Sequence, residues 1–193
     1  MRIGSRKLRA RDGTGGMTII ELLFSFGALL VVMLGFSRML ISSRMASTTT
    51  HEATLAKEAA RAMIETLEAT RFSAIYATYN SDPGDGGVTP VADFEAGKGF
   101  KVRGAQGHGD ALEPPVGFER PGQILFPESG GKLSELVTAP QYGWTGLDLN
   151  GDGDSDDADV SSDYKYLPVV VRVSWSSSGG VGSVEFKTII ANF

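Results

Sequence analysis

The densest set of chemistry-bearing side chains in this 193-residue chain is Asp148-Leu149-Asn150-Gly151-Asp152-Gly153-Asp154-Ser155-Asp156-Asp157-Ala158-Asp159. Oxygen-bearing side chains occupy its first, third, fifth, seventh and ninth places, with glycine sixth and aspartate twelfth. Calcium takes six to eight oxygens from a loop that can curl around it, and glycine at the sixth place permits the sharp turn. On this spacing Asp148, Asn150 and Asp152 supply side-chain oxygens, and Asp154 supplies its backbone carbonyl. Asp156 binds directly or through a water, and Asp159 closes the site with a shorter reach than the glutamate usual at that place. Without a cation these carboxylates would repel one another. Calcium is therefore the expected cofactor, in a structural role linked to the folded state.

One further carboxylate stands out by its surroundings. Glu21 is the only charged residue over positions 19–36, within an apolar run that continues past Arg38 to Ile41. Roughly 20 apolar residues, at about 1.5 Å rise each, cross the hydrocarbon core of a bilayer as a helix. Gly27 and Gly35 are tolerated in such a helix. A carboxylate near its end is costly unless it meets a cation, so it reads as functional by default. The natural partner is the α-amino group that a cut after Gly16 would create at Met17.

Gly16-Met17-Thr18-Ile19-Ile20-Glu21, behind a short basic leader and ahead of the apolar helix, resembles the N-terminal signal of type IV pilins and pseudopilins. The likeness covers about residues 1–45, and Met17 stands where the family usually has phenylalanine. The resemblance implies that prepilin peptidase cuts between Gly16 and Met17 and methylates the new amine of Met17. It implies that Glu21 pairs with such an amine, its own or a neighbour's, during assembly. The partners implied are other pilin or pseudopilin subunits, an inner-membrane assembly platform and membrane lipid. Within the family the Ala-rich helix after the apolar run is most similar to PilV-type minor pilins, and a minor pseudopilin of type II secretion shares the same features. A reading from another class, a single-pass membrane-anchored calcium-binding module that never polymerises, leaves Gly16 and Glu21 in register unexplained. The acidic loop for its part resembles an EF-hand loop without the helix pair, since residues 140–144 before it are no helix and residues 164–173 after it read as a strand.

Charge divides the chain. Arg2, Arg6, Lys7, Arg9 and Arg11 against Asp12 make the leader +4, which within a chain of −5 leaves −9 for the remainder. Basic residues ahead of an apolar helix hold that end in the cytoplasm, so the acidic body is expected to be translocated; the pilin resemblance implies that it stands in the periplasm of a bacterium, anchored in the inner membrane. A net acidic body also argues against direct nucleic-acid binding. There are no cysteines, so an exported head has no disulfide to hold it. Catalysis has no candidate residues. His51 and His108 have no nucleophile or metal-spaced companion, and Gly130-Gly131-Lys132 lacks the spacing of a phosphate loop. Trp144 and Trp175 read as core or loop anchors.

The elements that must position these residues follow from periodicity. Ala56, Ala60, Met63, Leu67 and Ala74 recur at helical spacing, and neither glycine nor proline occurs between Ser37 and Ser81. One long helix over residues 18–77 is expected, its middle weakened by the polar stretch Ser47-Thr48-Thr49-Thr50. Glycines and prolines punctuate residues 81–122, a loop region with short strands expected near 99–103 and 123–126. Residues 167–175 alternate Val169, Val171, Val173 and Trp175 on one face, and residues 182–192 alternate Val184, Phe186, Thr188 and Ile190. Ser176-Ser177-Ser178-Gly179-Gly180 joins the two as a hairpin. Two strands cannot stand alone, so more strands and the helix must cover them. The expected fold is α+β and pilin-like: a leader (1–16), a transmembrane half-helix (17–41), an amphipathic half-helix (42–79), and a small antiparallel β-sheet head (80–193) carrying the loop at 148–159.

Overall fold

The computed structural model describes residues 18–82, 94–103, 112–137 and 146–192. Gly16, Met17, His108, Trp144 and the stretch 140–144 lie outside the described residues. The chain divides into two compact units, Met1–Arg44 and Met45–Phe193.

In the first unit the described chain is the leading part of α1 (Ile19–Ala69). Thr18 starts this helix, its Oγ1 accepting the Glu21 N–H at 3.4 Å. An N-cap residue satisfies one of the four orphan amides of a first turn in this way. Glu21 stands three residues on, where the helix dipole favours a negative charge. The Ser25 and Ser37 hydroxyls donate back to the carbonyls of Glu21 and Met33, at 2.8 and 2.9 Å. Neither side chain leaves an unpaired proton among its apolar neighbours. Every residue over 19–51 is exposed, and the helix is long and apolar enough to cross a membrane.

The second unit begins within the same helix. Ala56, Ala60 and Leu67 are fully buried and Met63 packs beside them, as the helical spacing predicts. The helix does not run unbroken to residue 77. It ends at Ala69: the Thr70 N–H bonds to the Leu67 carbonyl at 3.1 Å, one residue short of the α-helical partner, and Arg71 is extended with ψ 127°. α2 (Phe72–Tyr79) then starts in a new phase, so that Ile75, Tyr76 and Tyr79 are buried while Ala74 is only half-buried. Aromatic packing places this break. The Phe72 ring lies 4.9 Å from that of Tyr164, whose hydroxyl donates to the Phe72 carbonyl at 3.1 Å. Tyr76 meets Phe126 edge-on at 5.5 Å. Such ring pairs contribute about 0.5–1.5 kcal/mol each beyond the area they bury.

Strands β1 (Phe94–Glu95), β2 (Gly99–Phe100), β3 (Gly122–Leu125), β4 (Glu128–Ser129), β5 (Lys132–Leu133), β6 (Tyr166–Ser177) and β7 (Gly180–Ala191) follow. The order β1-β2-β3-β6-β7 makes an antiparallel sheet, and β4 with β5 makes a separate hairpin. The architecture is therefore α+β, with short strands near both places where the loop region was expected to hold them. β6 and β7 keep one register from Tyr166 opposite Ala191 to Ser177 opposite Gly180, which leaves Ser178-Gly179 as a two-residue turn. Val169, Val171, Val173 and Trp175 are buried, and Val184, Phe186 and Ile190 pack against the same core as Ala56, Ala60 and Leu67. Trp175 Nε1 donates to Glu52 Oε2 at 3.1 Å, tying the sheet to α1, so this tryptophan is a core anchor. Gly99 is required where β2 meets β3: its φ is +95°, and a Cβ there would stand 1.9 Å from the Gly122 carbonyl oxygen.

Candidate metal centre

The acidic loop is held from outside and folded on itself. Its first apolar residue, Leu149, is buried, and the Leu149 carbonyl accepts the N–H groups of Lys165 and Tyr166 at 2.7 and 2.9 Å, fixing it to the start of β6. On the other side it is zipped to the segment after β5. Val160 N–H donates to the Leu133 carbonyl at 2.9 Å, Leu133 N–H to Ser161 Oγ at 2.9 Å, and Glu135 N–H to the Asp157 carbonyl at 3.0 Å. This second seam places Glu135 against the loop, with 5% of its surface exposed.

Inside the loop the first residues curl as the spacing predicts. Asp148 Oδ2 accepts the Gly153 N–H at 2.9 Å, and its Oδ1 accepts those of Gly151 and Asp152. Partial burial opposes the charge of Asp148, but these three amides outweigh it and hold the carboxyl below the usual aspartate range. Asn150, itself buried, accepts the Asp152 N–H at 3.0 Å and donates from Nδ2 to Asp157 Oδ2 at 2.9 Å and Asp152 Oδ2 at 3.3 Å. Asp152 Oδ1 accepts the Asp154 N–H at 3.1 Å.

Among the described residues, Glu135, Asp154 and Asp157 each bring a carboxylate oxygen to within 4.8 Å of the other two. Glu135 is buried, Asp157 half-buried and Asp154 exposed, and together they could hold a metal ion. Repulsion from Asp152, then desolvation, then repulsion from Asp156 raise the carboxyl of Asp154 above the usual range. Glu135 accepts two backbone amides, from Leu149 at 2.5 Å and Asp157 at 3.3 Å. Among the described residues no ion pair includes it. A buried carboxylate without a cation is what a bound metal relieves.

Of the six residues expected to ligate, Asp154 joins this convergence through its side chain. Asp148 and Asp152 accept amides of their own loop, Asn150 accepts one and donates to Asp157 of the convergence, and Asp156 lies beside Asp154. Asp159 is not among the three convergent carboxylates. Its carboxylate pairs with Lys132 of β5 and accepts the Ser161 N–H, and the lysine chiefly holds its carboxyl below the usual range. A carboxylate already matched by an ammonium has little to offer a metal. Two convergent residues were missed by the spacing argument. Asp157 occupies the tenth place, which the loop pattern passes over, and Glu135 comes from a distant segment. The one sequence signal for Glu135 is its setting between Leu133-Ser134 and Leu136, an acidic residue amid apolar ones. Comparison with protein-family models, characterised proteins and solved structures returns no match to this chain.

Proposed function

We propose that the chain is a minor pilin. Prepilin peptidase cuts it between Gly16 and Met17 and methylates the new amine. Residues 17–41 hold it in the bacterial inner membrane, with the head in the periplasm, until an assembly platform draws it into a type IV pilus among other subunits. The observation that carries this reading is Glu21, the one carboxylate in an apolar helix, five places after Gly16. In an environment where a lone charge is costly, it needs the amine that cleavage creates. A second feature supports the reading: α1 continues from the apolar run into residues whose Ala56, Ala60 and Leu67 form the head's core, so head and stalk share one backbone element. The centre at Glu135, Asp154 and Asp157 offers only oxygens, which suits calcium rather than a metal that prefers nitrogen or sulfur. In a head without disulfides, calcium there ties the segment after β5 to the acidic loop.

The test is the intact mass and N-terminal sequence of the protein purified from its own membranes. A start at Met17 with one extra methyl group is expected, and a start at Met1 overturns the reading. Because Glu21 also sits in a capped first turn, Glu21→Gln separates the two roles. Glutamine keeps the capping geometry and removes the charge, so incorporation into filaments should fall about tenfold or more while the head melts unchanged.

A further inference from the structure

We infer that Arg38 and Arg44 bind the phosphates of anionic phospholipids in the leaflet on the head side, fixing how deep the helix sits; this rests on the membrane reading above. Between Glu21 and Glu52 the chain has no acidic residue, and its only formal cations are these two arginines. Both are exposed. They stand on the translocated side, where the positive-inside rule disfavours cations, so their presence there needs a reason.

Length supplies the position. The run from Ile19 to Ser37 measures about 27 Å along the axis, close to the ~30 Å hydrocarbon thickness, so Arg38 enters the headgroup layer on leaving the core. Arg44 lies about 9 Å further on. Helical side chains lean toward the N-terminus, so its guanidinium reaches back to the same layer. Guanidinium is the side chain best suited to phosphate, which it grips with two parallel hydrogen bonds.

Direction supplies the partner. Six residues at about 100° each put the two side chains roughly 120° apart around the axis. A partner helix covers a stripe about 100° wide and would engage one of them. A lipid shell surrounds the helix and engages both. A carboxylate on a second copy of the chain is therefore the weaker occupant.

The experiment uses the full chain, reconstituted into vesicles of phosphatidylcholine with or without one part in four of phosphatidylglycerol, then released for native mass spectrometry of retained lipid. Wild type should keep phosphatidylglycerol over phosphatidylcholine, and Arg38→Gln and Arg44→Gln should each cut that preference about fivefold. Equal retention by wild type and the double variant overturns the inference. So does a crosslink to a second copy that both arginines support while lipid retention stays the same. Failure of wild type to enter vesicles of either composition overturns the membrane reading itself, and is a different result from entry without lipid preference.

Discussion

At the scale of single residues, the candidate metal centre and its proposed calcium yield the sharpest expectations. Glu135→Gln removes the buried charge but leaves the size of the side chain, so calcium-dependent stabilisation should vanish. Asp159→Asn, which only releases Lys132, should keep it. Differential scanning calorimetry with calcium and with a chelator separates them: at 100-fold excess over its dissociation constant a ligand stabilises by about 2.7 kcal/mol. For a head of this size that is a melting shift of about ten degrees. Asp154→Asn should act in opposite directions with and without metal. Its carboxyl is raised by repulsion from Asp152, by desolvation and by repulsion from Asp156, so it resists ionising in the folded state. The stability that goes with a raised carboxyl is present below the unfolded value and lost as pH rises through the folded one. At neutral pH the metal-free variant should therefore melt no lower than wild type, while its calcium affinity falls. A lower metal-free melting point would contradict that account. The curl of the acidic loop was legible because the groups that make it, the Asp148 carboxylate and the amides of Gly151, Asp152 and Gly153, are close in sequence. Glu135 was not, because backbone seams at Leu133 and Asp157 bring it in from another segment, and no spacing rule encodes them.

At the scale of elements, the strongest claim concerns β2 and β3. Gly99→Ala adds a Cβ into the Gly122 carbonyl and forces a left-handed backbone on alanine, so it should lower stability by about 2–4 kcal/mol or detach β1 and β2 from the sheet. Urea unfolding with hydrogen exchange at Phe100 distinguishes these from a silent change. The β6–β7 hairpin was legible to within a residue or two because a period of two and a serine-glycine turn both marked it. The break at Thr70 and Arg71 was not. Neither residue is a helix breaker of the glycine or proline kind, and the reason for the break is Tyr164, which lies far along the chain and draws Phe72 and Tyr76 toward it. Tertiary packing overrode local propensity there.

At the scale of the whole molecule, every buried apolar residue among those described in the head lies at or beyond Ala56. A chain of residues 45–193 should therefore be soluble, fold cooperatively and respond to calcium as the full chain does. Loss of cooperative melting in that fragment would mean that the apolar segment contributes to the head's fold. The β6–β7 ladder also sets a timetable. β6 lies within the sheet and is closed on one side by β7, whose last residue, Ala191, is made about 150 residues after Ile41. At about 5–20 residues per second, roughly 8–30 s of synthesis separate the apolar helix from the strand that completes the sheet. An apolar helix long enough to cross a membrane is thus complete while the head is still an open chain. On the proposed reading, the head would then cross as an open chain and close only once β7 has joined β6.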